Sequence, residues 1–173
     1  PPRSTLFPYT TLFRSAMVAN AEGNLDKLKA AHLNAMKYYG RAEAMNERDS
    51  KVFFMSTSKG MASVFLGENL STGYMESGDR KIYWEITPIP GGFKIVIFIN
   101  ILGKTYEIPI IIKLADGELS VKVEESAQRY DWMCLLKCVG TSVLAKCLHC
   151  KLDWKCWATC AGPDVVQCVM GCF

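Results

Sequence analysis

Cysteine is absent from the first three quarters of this chain. All eight cysteines of the 173-residue sequence fall in its last 40 residues, and residues 1–133 contain none. No apolar run approaches the roughly 18 residues that a membrane-spanning helix needs. The formal net charge of +3 is too small to attract nucleic acid by bulk electrostatics, so we expect no nucleic-acid partner. The sequence also lacks the glycine-rich, GxSxG, HExxH and P-loop patterns of common enzyme sites, and it therefore indicates neither an enzyme nor a cofactor.

The composition is that of a folded protein. Half of the residues are apolar and 21% are charged, which excludes a disordered tail. The length allows one or two domains with a buried core. Because cysteine is confined to one end, we expect the two parts of the chain to be stabilised by different chemistry.

The first fifteen residues, PPRSTLFPYTTLFRS, are interpreted as an artefactual leader. The stretch Thr5–Ser15 resembles the conceptual translation of a short-read sequencing adapter. We therefore exclude residues 1–15 from the fold prediction, as one excludes an expression scar. We also expect that an original signal peptide has been lost from this end.

A helix is predicted over residues 24–40. Apolar side chains recur at helical spacing, Asn24 stands at the N-cap position, and Gly40 stands where the helix would end. His32 lies beside the apolar stripe. Because no second histidine or cysteine is near it in the sequence, we expect a packed or surface histidine.

From Lys51 to Glu125 the pattern changes to short β-type runs. Alternation in residues 80–89 places Ile82, Trp84 and Ile86 on one face. The nearly continuous apolar run over residues 93–102 predicts a strand buried on both faces. Further strands are predicted over 51–55, 62–68, 106–114 and 119–125.

Turn signals join these runs into an antiparallel meander. Residues 102–104 and 115–118 predict tight connections, and Pro109 predicts an edge position or a bulge in its strand. The expected fold class is α+β. An N-terminal helix packs on a small antiparallel β-meander within residues 16–126, and a small disulfide-rich all-helical C-terminal domain follows over residues 127–173.

The cysteine spacing is typical of stapled helices. Three pairs of cysteines are four residues apart, which places each pair on one face of a helix, so two such helices can be joined by two disulfides between facing pairs. We predict that all eight cysteines form disulfides, with the pairing left open. They are Cys134, Cys138, Cys147, Cys150, Cys156, Cys160, Cys168 and Cys172.

Disulfides answer a physical need of so short a segment. About 45 residues cannot bury enough apolar surface to offset their conformational entropy, and cross-links lower the entropy of the unfolded chain. Disulfides persist in oxidising compartments, so the cysteine-rich tail predicts a secreted, extracellular protein.

Two other uses of the cysteines stay open. Cys147 and Cys150 form a C-x2-C pair with His149 between them, and Cys156 and Cys160 are close in sequence. Cysteine and histidine are the usual ligands of structural zinc. A second C-x2-C pair is missing, so the prediction assigns no metal ligand. Redox catalysis through the C-x2-C pair lacks the βα context that would activate a thiolate.

Tryptophan and lysine are concentrated in the tail, as in peptides that bind membrane interfaces. The same tryptophans could instead fill a small core. The predicted membrane-contact residues are Trp132, Trp154, Trp157, Lys146, Lys151 and Lys155.

A cysteine-rich, apolar, glycine-containing C-terminal segment after a cysteine-free N-terminal part resembles the layout of halocin-type bacteriocin precursors. The resemblance implies export, disulfide formation and release of the tail as an antimicrobial peptide. It further implies that the N-terminal part is a pro-domain or immunity segment.

Two functions therefore stand as hypotheses. In the first, the protein is a secreted precursor whose C-terminal peptide disrupts bacterial membranes, with the polar segment Lys122–Arg129 as the processing region and the N-terminal part as the partner of the tail. In the second, it is a non-enzymatic secreted binding or structural protein whose tail is a stabilising cap. Burial of the tail tryptophans against the sheet would favour the second, and a tail on a flexible linker would favour release.

Overall fold

The fold is seen in a computed structural model of the chain. It describes residues 23–41, 43–44, 51–57, 60–78, 80–101, 103–116, 118–123, 132–139, 144–151 and 153–172. The leader-like residues 1–15 lie outside the described residues, as do residues 124–129 of the expected processing region Lys122–Arg129.

A seven-stranded antiparallel sheet forms the centre of the fold, with the strands in chain order. Six strands were predicted, and the seventh, β3, was not. The strands are β1 (Lys51–Thr57), β2 (Gly60–Leu66), β3 (Ser71–Ser77), β4 (Arg80–Ile89), β5 (Gly92–Ile101), β6 (Lys104–Ala115) and β7 (Glu118–Val123).

Short turns fix the register of the last four strands. Ile89 pairs with Gly92 across a Pro-Gly turn whose Gly91 has φ +76°, the conformation that glycine adopts readily at the third position of a type II turn. The predicted connections at residues 102–104 and 115–118 are confirmed by the pairs Ile101–Lys104 and Ala115–Glu118. Pro109 precedes the first described pair between β6 and β7, so its missing N–H interrupts no described bond on that side.

Both faces of the sheet are covered. The predicted alternation in β4 is confirmed, because Ile82, Trp84 and Ile86 belong to one buried cluster and Tyr83 belongs to another. Strand β5 is buried on both faces, as its apolar run predicts, with Ile97 in the first cluster and Phe98 in the second.

The helix over residues 23–38, here α1, covers the Tyr83 face. Gly40, which follows its last turn, has φ +67°. The Gly40 N–H donates to the Lys37 carbonyl and the Arg41 N–H donates to the Met36 carbonyl, which together form a Schellman C-cap. This cap turns the chain so that Arg41 lies over the sheet.

The tail covers the opposite face with short helices. They are α2 (Trp132–Cys138), α3 (Leu144–Cys147), a 3-10 turn (Leu148–Cys150), α4 (Trp154–Cys160) and α5 (Gly162–Cys172).

The predicted fold class is wrong for these C-terminal residues, because they do not form an all-helical domain of their own. Short helical segments and a 3-10 turn lie on the sheet, and their buried side chains belong to the same cluster as the strands. The physical reason is the shortage of apolar surface that also makes the disulfides necessary. So few residues have too little apolar surface to make a core alone, and the sheet supplies the missing partner.

Candidate functional site

Two disulfides join α2 to α5. Cys134 bonds to Cys172 and Cys138 bonds to Cys168, with Cα–Cα distances of 5.8 and 5.6 Å. Each helix contributes an i, i+4 pair, and the two pairs face each other in antiparallel order. The predicted stapling of adjacent helices is confirmed, and the structure supplies the pairing that the sequence left open.

The other two disulfides close the turn between α3 and α4. Cys147 bonds to Cys160 and Cys150 bonds to Cys156, so the four sulfurs of the zinc alternative are paired with one another. The Asp153 carboxylate caps α4 by accepting from the backbone N–H groups of Lys155 and Cys156. Within the described residues no cysteine is free, which confirms a cysteine-rich, disulfide-bonded chain. Several disulfides in one small chain are typical of extracellular proteins.

The inner face of the tail is apolar and buried. Trp157 is 3% exposed, its ring lies 5.5 Å from that of Phe93, and its indole N–H donates to the Lys151 carbonyl. Trp154 is half-buried and packs against the same cluster. Trp132 lies in α2, but its side chain is outside the described residues.

Helix α5 approaches the sheet closely. Val165, Val166 and Val169 are fully buried. A Cβ added at Gly162 would lie 3.1 Å from the indole nitrogen of Trp84, so the glycine permits this approach. The Arg80 guanidinium donates to the Met170 carbonyl over 2.9 Å and ties the end of the helix to β4.

Within the described residues, the outer face of the tail is polar apart from two large exposed side chains, Met133 and Leu148. Lys146 and Lys151 are exposed and Lys155 is half-buried. Leu148, between the first two lysines, is 55% exposed. Of the predicted membrane-contact set, the lysines therefore lie toward solvent while Trp157 faces the sheet.

A buried polar cluster between α1 and the sheet escaped the sequence analysis. His32 is completely buried, its Nδ1 lies 3.1 Å from the Ser63 hydroxyl, and its Nε2 lies 3.0 Å from the Thr72 hydroxyl. Burial lowers the pKa of His32 to about 3, so the ring is neutral at physiological pH. A histidine beside a serine is the pairing of a base with a nucleophile, but none of these side chains contacts solvent appreciably, so a substrate has no access to them.

A second polar cluster lies next to it. The Arg41 guanidinium donates two hydrogen bonds to the Glu85 carboxylate, at 2.7 and 2.8 Å, and the Tyr83 hydroxyl donates to the same carboxylate. Glu85 is only 4% exposed, so the bidentate pair compensates a buried charge. Burial, with the adjacent carboxylate, raises the pKa of the Tyr83 hydroxyl. The alternation in β4 indicated which face Glu85 would occupy, but no pattern linked it to Arg41.

A groove of about 440 Å³ runs beside α1. Its walls include Tyr38, Tyr74 and Asn100, and the Asn100 amide donates to the Tyr38 hydroxyl over 3.1 Å. Tyr38 is 67% exposed. This volume lies within the range of small-molecule sites, so the protein has a surface on which a binding function could reside.

No described helix is both long and apolar enough to cross a membrane. In comparisons with known proteins, no family model, no curated protein and no solved structure matches this chain.

Proposed function

We propose that this is a secreted, non-enzymatic binding or structural protein in which the disulfide-linked tail is a stabilising layer on the sheet. The observation that carries the proposal is the shared core. Trp157, Val165 and Val169 are buried in the same cluster as the strands β4, β5 and β6. Removing the tail would expose apolar surface on both the sheet and the tail. Each Å² of apolar surface exposed costs about 25 cal/mol of stabilising free energy.

The chemistry of the described residues supports a non-enzymatic protein. The histidine–serine pair is buried and neutral, and the carboxylate of Glu85 is held by Arg41 and Tyr83. A solvent-facing site is offered instead by the groove beside α1, whose exposed Tyr38 and half-buried Asn100 suit binding.

A second function, the precursor of a membrane-active peptide, is favoured by the two-sided character of the tail. Its inner face is apolar, and its outer face carries Lys146, Lys151 and the exposed Leu148. An amphipathic segment of this kind binds membrane interfaces when it is free. In this function the helix and sheet are a pro-domain that masks the apolar face until the tail is released.

Cleavage of the connecting segment distinguishes the two functions. A site for a specific protease is introduced within residues 124–131, and the oxidised protein is cut under native conditions. If the tail is a structural layer, the two fragments elute together from a size-exclusion column and the mixture releases no dye from vesicles of phosphatidylcholine and phosphatidylglycerol.

The uncut variant is the matched control for the leakage assay. A tail that leaves the sheet after cleavage and permeabilises the vesicles would contradict the structural function and support the precursor. A tail that is separated with denaturant, returned to buffer with its disulfides intact and inert toward both vesicles and bacteria would contradict the precursor.

A further inference from the structure

We propose that the groove beside α1 binds a small planar aromatic carboxylate. This inference rests on the proposed binding function and names the class of ligand that the groove suits. Its described walls combine tyrosine rings and alanine methyl groups with one charged side chain, that of Lys81. A mostly apolar pocket with a few polar groups is the usual form of a small-molecule site, and the polar groups decide which ligand is bound.

The sheet supplies the polar wall of the groove. Lys81 is two residues before Tyr83, whose ring is buried under α1, so alternation along β4 places both side chains on the α1 face. The antiparallel register of β4 and β5 places Asn100 opposite Lys81. The lysine is exposed and the asparagine is half-buried, so both polar groups are accessible to a ligand in the groove.

The helix supplies the space. Ala31 and Ala35 are four residues apart, so they lie on one face of α1, and both line the groove. Because their side chains are only methyl groups, a volume of about 440 Å³ remains between the helix and the polar wall. A compact ligand with a flat ring fits within such a volume.

An exposed tyrosine ring is held in place at the rim of the groove. Tyr38 is 67% exposed, yet the Asn100 amide donates to its hydroxyl, and its ring meets that of Tyr39 edge to face with the centroids 5.0 Å apart. Tyr39 is in turn stacked on the buried ring of Tyr83. A ligand ring placed against Tyr38 therefore gains an aromatic contact at little cost in side-chain entropy.

Two polar groups that line the groove have protons to donate, and one of them is a cation. Among the described side chains, the Lys81 ammonium has no ion-pair partner. Because the Tyr38 hydroxyl accepts from Asn100, its own proton remains available to a ligand. Glu76, the acidic neighbour of Lys81 across the strands, accepts from the Tyr74 hydroxyl and lines a separate depression. A carboxylate on an aromatic ring accepts from both donors and presents an apolar body to the tyrosines.

The test uses the oxidised full chain with naphthalene-2-carboxylate as the ligand. Binding is followed by the amide chemical shifts in heteronuclear NMR spectra, which also locate the site. We expect the shifts to be concentrated in residues 31–39 and around Lys81 and Asn100, with a dissociation constant of about 1 mM or below. Naphthalene-2-carboxamide has nearly the same shape without the charge, and we expect it to bind about tenfold more weakly.

Two variants separate the charge from the ring, and both replace exposed side chains, so the buried core is kept. Lys81→Gln removes the cation and weakens binding of the carboxylate about tenfold. Tyr38→Ala removes the aromatic wall and weakens binding about threefold or more. Lys113→Gln is the matched control with unchanged binding, because Lys113 is also an exposed strand lysine but does not line the groove.

The proposal is overturned by any of four results. These are no binding at about 5 mM, equal binding of the carboxylate and the amide, unchanged affinity in Lys81→Gln or Tyr38→Ala, and shifts scattered outside the groove as for an adventitious additive. The role of the tail is measured separately, by the cleavage experiment, and the tail lies on the opposite face of the sheet from α1. Failure of the ligand site and failure of the structural tail are therefore distinguishable.

Discussion

The buried histidine makes the stability of this fold depend on pH. His32 is fully buried, and burial lowers its pKa from its usual value near 6.5 to about 3. The unfolded chain therefore binds a proton below about pH 6.5, whereas the folded chain does not until about pH 3. The histidine favours the folded state fully above pH 6.5, and this advantage is lost progressively as the pH falls toward 3.

The size of the effect follows from the interval between the two pKa values. At about pH 4.5, two pH units below the unfolded value, the loss relative to pH 7 is roughly 3 kcal/mol. That is a large share of the free energy of about 5–15 kcal/mol that typically separates folded from unfolded states. The two flanking hydroxyls can accept hydrogen bonds from a charged ring, so the loss arises from desolvation of the charge.

Urea unfolding of the oxidised protein at about pH 7, 5.5 and 4.5 measures this dependence. The matched variant is His32→Gln, which keeps a polar side chain able to reach the hydroxyls of Ser63 and Thr72 but does not titrate. As the pH is lowered from about 7 to 4.5, we expect the free energy of unfolding to decrease more steeply in the original chain than in the variant. Parallel pH dependences in the two proteins would refute the assignment of a neutral buried ring.

Two further predictions concern packing and cross-links. Gly73→Ala is expected to destabilise the fold by about 1–3 kcal/mol, because the added Cβ would lie 2.0 Å from the Trp84 ring. Gly171→Ala is the matched control, because nothing lies within 4 Å of its new Cβ, and thermal unfolding should show no loss of stability. Replacing the Cys134–Cys172 pair by alanine should cost about 4 kcal/mol and replacing the Cys150–Cys156 pair about 2 kcal/mol, because their sequence separations are 38 and 6 residues. Equal losses from the two disulfides, measured by urea unfolding, would contradict the loop-length argument.

Local signals in the sequence were sufficient for the turns and for most of the strands. The Pro-Gly and Asp-Gly turns, the alternation in β4 and the glycine at the end of α1 each act through neighbouring residues. Strand β3 was missed because its sequence, STGYMES, lacks alternation and contains a glycine. The reason for Gly73 is tertiary, since the Trp84 indole occupies the space where a side chain would be.

The candidate site was predictable only in part. Spacing at i and i+4 indicated facing cysteines, but the pairing depends on how α2 and α5 pack, which no local pattern specifies. The polar clusters were hidden for a similar reason. His32 meets its hydroxyl partners 31 and 40 residues further along the chain, and Arg41 meets Glu85 after 44 residues.

Trp84 shows why the tail and the sheet are parts of one packing solution. Its fully buried indole lies between two glycines, Gly73 on the neighbouring strand and Gly162 at the start of α5. Each glycine leaves room for the same ring, one from within the sheet and one from the tail. Because an added Cβ would lie 2.0 Å from the ring at Gly73 and 3.1 Å from it at Gly162, the sheet face and the tail are matched in shape as well as in hydrophobicity. The disulfides therefore stabilise the tail in a conformation that fits this surface, while the sheet supplies the apolar partner that the tail lacks.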